Sequence, residues 1–128
     1  MRVNEHVICK DFPCGDVNQA SYVIPGIEIQ PENVRVVLIS EAAPERLLDY
    51  YYASGDPSFQ QTTLLAFQDA GVQVASLWEI VALGVYLTTA VKCGKTGYGI
   101  QTATIKECSF LLEQELSLFP YVRAYLLM

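Results

Sequence analysis

The chain contains four cysteines, Cys9, Cys14, Cys93 and Cys108, and one histidine, His6. Thiolates in fours suit zinc or an iron–sulfur cluster. The competing reading is packing, because cysteine is among the most often buried residues and Cys108 falls on an apolar helical stripe. The N-terminus, Met1-Arg2-Val3-Asn4-Glu5-His6, has no apolar leader. The expected compartment is therefore the cytoplasm, where thiols or metal ligands are the rule and disulfides the exception. Among the acids, Glu41 stands out by position in Ser40-Glu41-Ala42-Ala43-Pro44, directly after a β-branched run. A carboxylate there can serve acid–base or electrostatic chemistry, or be a solvated loop acid. His6 lies far from any candidate nucleophile, which argues against a Ser-His or Cys-His pair. The chain has no GxGxxG, no phosphate-loop lysine motif and no Gly-x-Ser-x-Gly elbow.

These residues need elements to position them. Val34-Arg35-Val36-Val37-Leu38-Ile39 reads as a strand at the centre of a parallel sheet, ending at Ser40–Pro44. Gly55-Asp56-Pro57 signals a turn before a helix over Phe59–Ala70, with Asp56 or Ser58 as N-cap and Gly71 at the C-cap. Val72–Ala75 is a candidate short strand, and Leu77–Leu83 a short helix with Trp78 and Ile80–Val81 inward. Val85–Val91 is a second buried strand, followed by the polar loop Lys92–Gly97. Ile105, Cys108, Leu111, Leu112, Glu115, Leu116 and Phe119 make a helical stripe over Thr104–Phe119, ended by Pro120. Val122–Met128 reads as another buried strand.

Strands alternating with helices imply an α/β fold, a three-layer α/β/α sandwich with a short, mainly parallel central sheet. Residues 1–33, punctuated by Pro13, Gly15, Pro25, Gly26 and Pro31, are expected to be an N-terminal arm draped on a domain over 34–128. The sequence stops inside an apolar run, so the domain is expected to be incomplete at its C-terminus, a fragment of something longer. At 52% hydrophobic and 17% charged the chain can bury a real core. No apolar run reaches the roughly 20 residues of a membrane span, so no membrane partner is expected. A net charge of −6 with eight scattered Lys and Arg argues against a non-specific polyanion binder.

Ligands of open α/β sheets bind beyond the carboxyl ends of the strands, which directs attention to Glu41 and to Thr88–Gly97. Thr88-Thr89-Ala90-Val91-Lys92-Cys93, with Cys108-Ser-Phe-Leu-Leu-Glu-Gln-Glu-Leu and then Phe119-Pro120, resembles the third-strand segment of the uracil-DNA glycosylase superfamily. The likeness is to the iron–sulfur-containing family 4 type. Ile39–Glu45 is similar to that family's first motif, Gly-Glu-Ala-Pro-Gly, with Ser40 for the first Gly and Pro44 one place late.

The resemblance implies hydrolysis of the N-glycosidic bond of a deaminated base in DNA, as in base excision repair. It implies that Glu41 is the catalytic carboxylate, stabilising oxocarbenium charge or orienting water. Phe59, in Gly55-Asp56-Pro57-Ser58-Phe59, corresponds with one extra residue to an aromatic that stacks on the extruded base. Without the resemblance Phe59 is a core or staple residue. Thr89 stands where the family commonly has Asn, and one hydroxyl cannot copy an amide's paired donor and acceptor on the uracil edge. Cys9, Cys14, Cys93 and Cys108 resemble the family's four-cysteine pattern for a 4Fe-4S cluster, with the first pair more widely spaced than usual; zinc is the other occupant such a set allows. Lys92, Lys95 and Lys10 are candidates for a basic rim that meets phosphates. The implied partner is single-stranded or mismatched uracil-containing DNA, bound by a monomer. The altered Thr89 and the absence of the family's His-Pro-Ser-type loop imply weak or no activity. The alternative is a non-catalytic nucleic-acid or cluster-bearing binding module; hydrolysis of another small substrate in the same cleft is a third possibility.

Overall fold

The computed structural model describes residues 1–128, and its architecture is α/β. Two parallel strands form its centre: β2 (Val36–Ala43) pairs with β3 (Val85–Lys95), from Val36 opposite Val85 to Ala42 opposite Val91. A short β1 (Val17–Asn18) adds antiparallel to the far side of β3, and β4 (Ala124–Leu127) adds parallel to β2, giving the order β1-β3-β2-β4. Parallel neighbours need crossover connections, and helices supply them. Helices α1 (Ser58–Asp69) and α2 (Leu77–Ala82) link β2 to β3, and α3 (Thr102–Leu116) links β3 to β4. No helix is long and apolar enough to cross a membrane.

Alternation along the strands separates two cores. Val37, Ile39 and Tyr86 face one side, where they meet Phe119 and the flank of α3. Leu38, Val85 and Leu87 face the other, against Leu77, Ile80 and the Tyr50–Tyr51 pair, with Phe59, Leu64 and Phe67 of α1 packed around them. The layers are thus those read from the sequence. The arm is more than a drape, since Val3, Val7, Ile24 and Ile29 are buried in the same cluster as Val37 and Tyr86.

Several local expectations change. Both central strands outrun their expected ends: β2 continues through Ala43 opposite Gly94, and β3 to Lys95, where β1 pairs Val17 with Lys95 and Asn18 with Gly94 and so draws the Lys92–Lys95 loop into the sheet. Gly94 is required there: a Cβ would meet the Pro44 carbonyl oxygen at 2.7 Å. Val72–Ala75 forms no strand; it has no partner, and the Val74 carbonyl instead accepts from Gln68 Nε2 at 2.9 Å. Pro57 holds the N-cap position of α1 without a side-chain bond, in place of Asp56 or Ser58. Trp78 is exposed, and so is β4, an edge strand with no element of the chain over its outer side.

The start of α3 is held by the arm. Its own N-cap, Gln101, makes no side-chain bond. Instead Asp16 reaches across, accepting from the Gln101 amide at 2.8 Å and from the Thr104 hydroxyl. Free amides and a helix dipole at this end favour a carboxylate. The Thr104 bond, then the Gln101 bond, hold the Asp16 pKa below its ordinary 3.8. A depressed carboxyl contributes stability that is present above the unfolded value and lost as pH falls through the folded one. Asp16→Asn should therefore melt below the wild type at neutral pH, and the gap should close as pH drops below 3.8; thermal melts across pH measure it.

Candidate functional site

The feature that positions the site is an irregularity in β3. Ala42 lies opposite Val91, but Ala43 lies opposite Gly94, so Lys92 and Cys93 are extra residues bulged from the ladder. Consecutive residues of a regular strand point to opposite faces, whereas a bulge re-aims them. Here both turn toward α3: Lys92 meets Glu115, and Cys93 shares a cavity with Cys108. The backbone of Lys92 is satisfied off the ladder. Its amide donates to Cys108 Sγ at 3.5 Å, and its carbonyl accepts from the Val23 amide at 2.8 Å.

All four cysteines line this one cavity, of about 150 Å³. Cys93 comes from the bulge, Cys108 from α3, and Cys9 and Cys14 from the arm. The arm's loop is fixed rather than loose. Gln19 Nε2 donates to the carbonyls of Phe12 at 2.9 Å and Cys14 at 2.6 Å, and the Cys9 amide donates to the Tyr22 hydroxyl at 2.8 Å. Phe12, held at φ +44°, sets its ring edge-on to Tyr22 at 4.8 Å. A non-glycine residue in the left-handed region costs on the order of 1–2 kcal/mol, which these contacts must offset. Cys93 and Cys108 are buried, while Cys9 and Cys14 are half-exposed. Burial first, then the neighbouring thiols, push the Cys93 pKa up to about 11, and burial raises Cys108 as well.

Beside the cavity lies a closed polar network. Lys92 Nζ donates to Glu115 Oε1 at 2.5 Å, to Thr88 Oγ1 at 2.9 Å and to the Thr89 carbonyl at 2.5 Å. Glu115 Oε2 accepts from the Tyr86 and Thr88 hydroxyls at 2.5 and 2.8 Å. Lys92 and Glu115 are both at 0% exposure. Burial pulls the Lys92 pKa below its ordinary value, and the Glu115 carboxylate opposes that pull.

A second site opens beyond the ends of β2 and β3, a cleft of about 710 Å³. It is lined by Glu41, Phe59 and Lys95, with Glu45, Asp49 and Tyr98 around them. Lys95 Nζ bonds Glu41 Oε2 at 2.8 Å, and both side chains reach solvent. An exposed pair of this kind is worth about 0–1 kcal/mol, so an incoming ligand separates it readily. The Phe59 ring leans edge-on against Tyr51 at 5.3 Å while still bordering the cleft.

Of the residues singled out in the sequence, the structure brings Glu41, Phe59 and Lys95 to one cleft and the four cysteines to one cavity. Two expectations are corrected. Lys92 is sealed in the core and is no part of a phosphate-contacting rim, because the alternation that turns Tyr86 and Thr88 toward α3 continues to it and it pairs with Glu115. Thr89 is likewise fully buried, its hydroxyl donating to the Val91 carbonyl at 2.8 Å, so it faces no base edge. Lys10 borders the cysteine cavity rather than the cleft. Sequence reasoning missed Tyr98, which is fully exposed between Gly97 and Gly99 at the cleft. It also missed Glu115 as a partner, although an acid on an apolar stripe demands one. No family model, no curated protein and no solved structure matches the chain.

Leaving one buried charge unpaired costs about 3–5 kcal/mol, whereas replacing both by apolar residues is often neutral. Glu115→Leu should therefore lose stability on that scale in urea titrations, and adding Lys92→Met should recover most of it. In metal-free protein Cys93 should alkylate far more slowly than a solvent-exposed thiol at neutral pH, because little of it is thiolate. Peptide mass spectrometry of the time course measures this.

Proposed function

We propose that this chain is a uracil-DNA glycosylase-like protein, in which four cysteines hold an iron–sulfur cluster and the Glu41 cleft receives a deaminated base of DNA. The observation that carries the reading is the convergence of Cys9, Cys14, Cys93 and Cys108 on one cavity from three separate parts of the chain. These are the residues on which the family 4 resemblance rests, together with the Glu41 loop and Phe59, which meet at a cleft beyond the strand ends.

The donor set fits the group. Soft thiols surround a space larger than a single ion needs, and buried thiolates that repel one another are favoured only when a cation lies between them. Zinc draws its sulfurs to about 2.3 Å from one point, whereas a cluster sets its ligands around a body several atoms across. Its role here is structural, joining arm, β3 and α3.

In the cleft, the Glu41 carboxylate supplies the charge that an oxocarbenium-like sugar requires, or orients water toward it. Phe59 offers a face on which an extruded base stacks, offsetting part of the few kcal/mol that unstacking costs. Lys95, freed from Glu41, is the cation nearest the cleft for a phosphate. The inward Thr89 provides no reading of the base edge, so activity is expected to be weak or absent. The same inward Thr89 and the Lys95–Glu41 pair favour the second reading, a non-catalytic module that keeps the fold and cluster and binds nucleic acid without cleaving it.

The decisive experiment is purification without oxygen, with iron, sulfide and zinc analysis, an absorption spectrum, and a base-release assay on uracil-containing single strands. Stoichiometric iron and sulfide are expected, with release of uracil slow or undetectable, and any release should disappear in Glu41→Ala. Iron without release, and binding indifferent to the lesion, selects the non-catalytic module. Protein free of iron, or loaded with zinc, overturns the cluster.

A further inference from the structure

The buried Lys92–Glu115 pair is not used by either reading of the cleft. Its position is unusual: it occupies the interior wall between the cysteine cavity and the core, at the point where the ladder breaks. Every polar group of Lys92 is committed. The amide is bonded to Cys108 Sγ, the carbonyl to the Val23 amide, and the ammonium to Glu115, Thr88 and Thr89. Lys92 therefore joins three parts of the chain at one residue: the Val23 segment of the arm, β3 itself, and α3.

Geometry makes that junction matter for the cavity. Cys93 directly follows Lys92, and the bulge at this point turns Cys93 to the same side as the buried lysine. Cys108 and Glu115 lie two turns apart on α3, close to one face, so pulling Glu115 onto Lys92 sets the height and rotation of Cys108. A desolvated, fully bonded ion pair has one arrangement of low energy, since any slip leaves a charge without partners. An apolar contact would tolerate sliding at this point; the ion pair does not.

We propose that Lys92, locked by Glu115, is the positioning residue of the four-cysteine site. Its amide holds the Cys108 sulfur, and its ammonium fixes the spacing of Cys93 and Cys108, so that the two face Cys9 and Cys14 across the cavity. The inference rests on reading those cysteines as one ligand set. Partners that orient metal ligands alter affinity by about 10–100-fold when removed, and hydrogen bonds to cluster sulfurs tune the reduction potential.

The test uses the full chain reconstituted with ferrous iron and sulfide without oxygen. Glu115→Gln and the apolar pair Lys92→Met with Glu115→Leu are compared with the wild type and with Leu112→Ala, which loosens the same helix without touching the ion pair. Circular dichroism selects variants that remain folded, and the apolar pair is included because it leaves no unpaired charge. The readouts are iron loss to a chelator and the potential of the reduced cluster. We expect both pair variants to lose iron about 10–100-fold faster and to show a displaced potential, and Leu112→Ala to keep the wild-type potential. Wild-type potential and iron retention in the pair variants, or equal shifts in Leu112→Ala, overturn the positioning role while leaving the cluster intact. A wild type that takes up no iron overturns the ligand set itself, and the positioning role with it.

Discussion

Sealing an ammonium and a carboxylate away from water costs several kcal/mol for each ion, and the fold must return that through geometry. Lys92 and Glu115 meet the condition by bonding to each other and to three neighbouring polar groups, the Tyr86 and Thr88 hydroxyls and the Thr89 carbonyl. The constraint spreads outward. Tyr86 and Thr88 must point to the α3 side of β3, so the register of that strand is set. Glu115 must point to the sheet, so the rotation of α3 is set. The arm must supply Val23 to the freed carbonyl, so its path is set as well.

The bulge at Lys92–Cys93 converts that core requirement into a site. A regular strand would place only one of the two residues on the α3 face. With the bulge, an inward lysine and an inward cysteine are neighbours, and the cysteine meets partners from α3 and from the arm. The Cys9–Cys14 loop is held in a costly backbone state by Gln19 and Tyr22. Burial raises the pKa of Cys93 and Cys108, which favours the thiol over the thiolate at both.

The cleft has a different character. It is open and carries Glu41, Glu45 and Asp49 against a single bordering cation, Lys95. That balance matches the overall charge of −6. Phe59 and Tyr98 give it aromatic surface, one anchored on Tyr51 and one free on a glycine-flanked loop. Cavity and cleft lie at the same end of the sheet, separated by the ends of β2 and β3.

Much of this was legible in the sequence. The β-branched runs at Val36–Ile39 and Val85–Val91, the Gly71 stop and the stripe of α3 are local signals, decided by side-chain shape and period, and they determined the layers and the order of elements. The chemistry of four thiols and a strand-end carboxylate was equally a matter of residue type. Direction was not. Lys92 and Thr89 read as a loop cation and a base contact, because nothing within a few residues reveals that β1 extends the strand or that the register slips between Ala42 and Ala43. Whether a side chain at a strand's end faces water or core depends on pairing with segments far away in sequence, so only the tertiary structure could turn Lys92 from a candidate phosphate contact into the buried centre of the fold.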